Sequence, residues 1–242
     1  MKEIRATEQS DFHGQIICQR RQDEGRRMEY NEPIMRLQTK KNLSIALLLT
    51  SLLGEGLGLT LAYLSGGEPY LFYTFLGNVL YALVALILLV VEIACYKKKE
   101  IPRWAFVLHY VGTVNEAVIF LIVCLYLVWF QGPGVFYRGS FPFLHLLCPL
   151  LAFANHYFFL GKSDYRYTDG CFGFIPVVTY ASVIIPLSAA KVINPPYPFL
   201  DFHINSWWIT LLYAIGAFFM LWTICYVLIR YAKATQKLTE EK

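Results

Sequence analysis

Leu71–Tyr96 reads LFYTFLGNVLYALVALILLVVEIACY and runs directly into Lys97-Lys98-Lys99. A helix rises about 1.5 Å per residue and a hydrocarbon core is about 30 Å thick, so roughly 20 mainly apolar residues make a span. This stretch is long enough, and the lysines that follow mark its cytoplasmic edge. Working outward, comparable runs lie at Leu43–Leu64, Trp104–Phe130, Phe141–Leu160, Phe172–Ala190 and Trp207–Tyr231. The sequence therefore predicts an all-α, six-span helix bundle. Pro176 and Pro186 in the fifth run are expected to kink it, because each removes a backbone donor.

Composition agrees with that reading. Across 242 residues, 57% are hydrophobic and 16% charged, which is too little polar surface for a water-soluble globule of this size. Lys and Arg fall in alternate connections. Arg20, Arg21, Arg26, Arg27, Arg36, Lys40 and Lys41 precede the first span, Lys97–Lys99 and Arg103 follow the second, Lys162 and Arg166 follow the fourth, and Arg230, Lys233 and Lys237 close the chain. Between them stand Arg138 and Lys191 alone. The bias predicts both termini in the cytoplasm, in a cell membrane of bacterial cytoplasmic type. The net charge of +4 then reflects topology and calls for no nucleic acid. Residues 1–42 read as a polar cytoplasmic leader with no signal-peptide core, 43–231 as the membrane domain and 232–242 as a cytoplasmic tail. Cys18, Cys95 and Cys171 face the reducing side while Cys124, Cys148 and Cys225 lie within spans, so free thiols are expected. No Cys and His stand at metal-ligand spacing. Neither a metal, a cofactor nor an obligatory protein partner is expected.

Polar side chains inside a span are costly and mark function by default. Glu55 stands in Gly54-Glu55-Gly56-Leu57-Gly58, where small residues let a neighbouring helix approach. Thr74 and Asn78 are i and i+4 on the second span, and Tyr81 extends their face inward. His109, Thr113 and Glu116 form a stripe on the third span, with Asn115 beside it. His145 lies about one turn below the outer surface at the start of the fourth, at the depth of Thr74. His156 sits roughly 16 Å deeper than His145, too far to share its chemistry. Asp201 and His203 follow the proline-stiffened Asn194–Leu200 loop on the same outer side. A structural reading stands beside each. A membrane-helix Thr commonly donates to its own carbonyl one turn back, and Tyr197, Trp207 and Trp208 are ordinary interfacial anchors.

The order Thr74-Phe75-x-x-Asn78, His145-x-x-x-Pro149 and Tyr197-Pro198-Phe199-Leu200-Asp201 resembles the androgen-induced-gene superfamily of six-span membrane proteins, in particular its prokaryotic branch. The likeness covers about Leu43–Tyr231. The family's eukaryotic members are threonine hydrolases of fatty-acid esters of hydroxy fatty acids, which implies Thr74 as nucleophile and His145 as base here, and membrane lipids bearing an acyl-chain ester as substrates. Asn155 stands where the prokaryotic branch implies an acid.

On this reading Asn78 is expected to donate to the oxyanion and Glu116 or Asp201 to orient the imidazole. Glu55, Tyr81, His109, Thr113, Asn115 and His203 are expected around the substrate pocket. Two other classes fit the same residues. One is a proton-coupled carrier that uses His109, Glu116 and Glu55, although no inverted repeat is visible. The other is a lipid-binding receptor or scaffold without turnover.

Overall fold

The computed structural model describes residues 38–66, 68–96, 101–128, 132–159, 165–201 and 204–240. Most of the expected leader, His203 and the last two residues lie outside the described residues. The described residues contain helices and turns and no strand. The main elements are α1 (Gln38–Leu64), α2 (Tyr73–Ala94), α3 (Arg103–Ile122), α4 (Cys148–Phe159), α5 (Ile175–Ala189) and α6 (Trp207–Glu240). Five helical runs, 38–64, 73–94, 103–125, 167–189 and 207–234, are long and apolar enough to cross a membrane. The other long run, residues 141–159, opens with a π turn at Pro142–Leu147 before α4.

The fifth run departs from the sequence expectation. Tyr167–Phe174 forms a 3₁₀ segment, and the α-helix begins only at Ile175. Pro176 thus occupies the first helical turn. A missing N–H breaks no bond there, so Pro176 starts the helix where the sequence reading expected a kink. Pro186 does lie inside α5.

α3 is the central helix. Of its most apolar stretch 67% is buried, against 11% for the run ending in α5 and 17% for α6. Its closest partner is α2, where two glycines remove the side chains that would hold the pair apart. A Cβ on Gly77 would stand 2.8 Å from Ile119, and one on Gly112 would stand 2.9 Å from Val84. Between them Tyr81, Val84, Ala85 and Leu88 of α2 pack with Tyr110, Val114 and Ile119 of α3. Asn115 clasps the pair: its amide donates to the Gly77 carbonyl at 2.9 Å, and its oxygen accepts from the Tyr73 hydroxyl at 2.8 Å. α6 turns Leu211, Phe218, Phe219 and Trp222 outward, the apolar exterior and polar interior that lipid as solvent demands.

Successive connections gather at opposite ends of the bundle. At one end Arg103 pairs with Asp169, at 2.8 and 3.0 Å to its two carboxylate oxygens, and the Tyr165 hydroxyl donates to the Phe106 carbonyl at 3.1 Å. Asp169 also accepts from the Arg166 backbone N–H at 2.8 Å, closing the first turn of the 3₁₀ segment. Because Asp169 is buried and loses all three bonds at once, Asp169→Ala is expected to destabilise the protein by about 2 kcal/mol. Asp169→Asn, which keeps an acceptor for the Arg166 N–H, should lose less, and thermal melting in detergent checks both.

Candidate functional site

At the opposite end the connections after α1, before α4 and before α6 enclose a cavity of about 710 Å³. Its wall includes Ala62, Glu68, Phe72 and Phe75 from the α1–α2 corner, Phe141 and Leu144 from the π turn, Tyr197 and Phe199 from the proline loop, and Tyr213 from α6. Thr74 and His145 both line it. The sequence placed them at equal depth on different helices, and the fold brings them to one chamber.

Thr74 is the second residue of α2. Thr50, Thr60, Thr113 and Thr223 each donate to the carbonyl four residues back, as a membrane-helix threonine ordinarily does. Thr74 stands at the second position of α2, so the carbonyl four residues back, that of Tyr70, belongs to the preceding turn and the hydroxyl makes no such bond; the buried Thr210 hydroxyl likewise has no partner. The Thr74 hydroxyl is thereby left for the cavity, while its backbone is fixed from both sides. The Thr74 N–H donates to the Tyr197 hydroxyl at 3.4 Å, and the Asn78 amide donates to the Thr74 carbonyl.

Tyr197 is itself held rigidly. Its ring stacks on Phe199 at 5.1 Å and meets Phe72 edge-on at 5.6 Å. Pro195, Pro196 and Pro198 limit the backbone freedom of its loop, and Asn205 donates to the Pro198 carbonyl at 2.6 Å. In the sequence Tyr197 opens the Tyr197–Asp201 run, with an interfacial anchor as its structural alternative; in the fold it is buried against the backbone of the candidate nucleophile.

His145 owes its aim to the π turn. Pro149 has no N–H for the carbonyl four residues back, that of His145, so an unbroken α ladder cannot run through this stretch. The Cys148 N–H bonds to Phe143, five residues back. Such wide turns re-aim side chains and recur at functional sites. The ring stacks on Phe141 at 4.6 Å and is 5% exposed. Its nearest backbone partner is the Phe141 carbonyl, and neither ring nitrogen makes a well-formed hydrogen bond to the protein. Both nitrogens are themselves buried, so a hydroxyl or a substrate reaches one of them only when the cavity wall gives way locally.

The remaining predicted residues lie elsewhere. Asn78 is buried one turn below Thr74 and does not line the cavity; its amide serves the Thr74 carbonyl. Glu116 meets Asn115 at 3.2 Å and lies within electrostatic reach of Glu55, away from the imidazole it was expected to orient. Asp201 accepts from the Ile204 N–H at 3.3 Å within its own loop. Glu55, Tyr81, His109, Thr113 and Asn115 are buried in the bundle, outside the cavity wall. Thr113 is held by its own helix. His109 stacks on His156 with their Nδ1 atoms 3.2 Å apart.

Ser44, Glu92 and Asn155 form a buried trio that sequence reading did not assemble. Glu92 carried a usable signal. It stands eighteen residues after Thr74, five full helical turns, and therefore on the same face.

Among the described residues no group of three or more His, Cys, Asp or Glu side chains is placed to hold a metal ion. Comparison of the chain with protein-family models, curated proteins and solved structures finds no match, so the functional reading is carried by the site's geometry and by the motifs quoted above.

Proposed function

We propose that the chain is a six-span membrane protein with both termini in the cytoplasm, and that its outer cavity is the active site of a Thr/His hydrolase acting on lipid esters. The observation that carries this reading is the shared chamber: a threonine hydroxyl not spent on its own helix and an imidazole re-aimed by a π turn line one mainly apolar cavity. The topology is supported by the alternation of connections between the two ends and by the lysine and arginine bias.

In the proposed reaction His145 takes the Thr74 hydroxyl proton as the oxygen attacks the ester carbonyl. The tetrahedral intermediate collapses, and the alcohol leaves with the proton that His145 returns. Water, deprotonated by the same imidazole, then cleaves the acyl-threonine to release the acid. Tyr197, fixed beside the Thr74 N–H and facing the cavity, is the side chain placed to donate to the oxyanion. Asn78 acts one step removed, by holding the Thr74 backbone.

The described wall contains one carboxylate, Glu68, and no Lys or Arg. That balance favours a neutral ester over one with a free carboxylate, whose charge would find no counter-ion. A chamber about one turn below the interface leaves the acyl chains in lipid while the carbonyl meets water.

Labelling of the purified protein with a fluorophosphonate probe tests the reading. Wild type is expected to label, and Thr74→Ala and His145→Ala to lose labelling together. A Thr74→Ala variant that labels as wild type does overturns the hydrolase, and lipid binding without turnover identifies a receptor instead.

A further inference from the structure

We propose that the bundle conducts protons along a column of buried polar side chains that runs from the floor of the outer cavity to the opposite end, a function separate from ester hydrolysis. On α2 the column is the stripe Thr74, Asn78, Tyr81 and Glu92, all buried. The eighteen residues from Thr74 to Glu92 rise about 27 Å, nearly the full thickness of a hydrocarbon core of about 30 Å. α1 faces it with Ser44, Ser51 and Glu55, α3 with His109 and Glu116, and the fourth helical run with His145, Cys148, Asn155 and His156.

Neighbouring members are in contact or within electrostatic reach at three levels. Below the cavity, Cys148 lies one turn from His145, its thiol donates to the Ser51 carbonyl at 3.9 Å, and Glu55 is within electrostatic reach. Glu55 and Glu116 sense one another, and the Tyr81 hydroxyl stands within reach of both and beside Ser51. Where α2 offers only Ala85 and Leu88, α3 and α4 supply His109 and His156, Nδ1 to Nδ1 at 3.2 Å, and Asn155, the residue before His156, carries the column on to Ser44 and Glu92. At the far end the Ser44 hydroxyl lies 2.8 Å from a Glu92 oxygen and 2.7 Å from the Asn155 side-chain oxygen.

Two of these contacts need a proton in a particular place. Two Nδ1 atoms approach this closely only when one carries hydrogen and the other offers its lone pair, and either ring fills either role. One serine hydroxyl has a single proton for two acceptors. The contact therefore requires Glu92 to carry a proton toward Ser44, or Asn155 to present its amide nitrogen. Exchange between such states is the elementary step of a relay.

Asn78 Oδ1, Glu116 Oε2 and His156 Nε2 are buried without a hydrogen-bond partner in the protein, and two of the three belong to ionisable side chains, which membrane interiors keep at functional positions.

The test uses the full-length protein in potassium-loaded phosphatidylcholine vesicles containing a pH-sensitive dye, with valinomycin setting the driving potential. Wild type is expected to carry protons well above the leak of empty vesicles. Glu116→Gln and Glu92→Gln are expected to lower that flux by about two orders of magnitude. Ser188→Ala removes a hydroxyl that is equally buried and unpartnered but lies on α5, outside the column, and should conduct as wild type does. Where Glu116→Gln melts early in detergent, Glu55→Gln takes its place. Wild-type vesicles no leakier than empty ones, a glutamine variant with unaltered flux, or equal loss in Ser188→Ala overturns the proposal.

Discussion

Thr74→Ala is expected to lower kcat for hydrolysis of a neutral acyl ester by about 10³-fold or more, with KM little changed. Removing a nucleophile from a catalytic set costs this much because the partners that act on it become idle together, while substrate binding persists. The cavity wall that would hold the acyl chain is built by Phe72, Phe75, Phe141 and Leu144, none of which depends on the threonine side chain. The backbone contacts that fix α2 here, to Tyr197 and Asn78, involve the Thr74 N–H and carbonyl and survive the substitution. Steady-state kinetics of purified protein in detergent check the prediction. An equal fall in binding would point to collapse of the chamber and away from lost chemistry.

Gly58→Val is the second large effect, and it acts through the other helix. A Cβ on Gly58 would stand 2.5 Å from Leu144 Cδ2, 2.7 Å from its Cγ and 3.0 Å from Phe143 Cβ. Leu144 is buried and precedes His145 in the π turn. The clash is therefore relieved by moving the segment that carries the imidazole. Overpacking of this kind costs about 3 kcal/mol at the upper end of its usual range. A displacement of about 1 Å at a reacting group lowers turnover by about 10²-fold. Gly56→Val, on the same helix with nothing within 4 Å of its Cβ, is expected to leave melting temperature and rate near wild type. Melting and hydrolysis measured on the two variants side by side separate packing at the site from a general effect of valine in α1.

The helical architecture was legible because it depends on long-range composition: apolar runs of spanning length stand out whatever their neighbours. That Thr74 and His145 both line one cavity accords with the equal depth read from the sequence, since depth follows from counting residues along helices of known rise. What stayed hidden depends on rotation about each helix and on contacts between helices. Asn78 sits on the expected face, yet its amide turns back to its own helix. Glu116 and His109 share a stripe, but His109 meets His156 of another helix, and Glu116 bonds Asn115 of its own helix within electrostatic reach of Glu55. For Tyr197 the structural alternative was an anchor, because aromatic residues near an interface usually are, and only the folded loop shows it against Thr74. Pro149 was visible from the start as part of a motif, while the wide turn it helps produce is a property of the backbone ladder.

The length of α6 has a practical consequence. Its 34 residues extend about 51 Å, some 20 Å more than a bilayer interior of about 30 Å can cover. On the proposed topology the surplus of this helix extends beyond the lipid. A reporter domain or spectroscopic label attached to the chain's final residues would be held clear of the bilayer surface, with an orientation tied to the helix axis. That makes the C-terminal end a natural place from which to measure tilt or distance without touching the chamber at the other end.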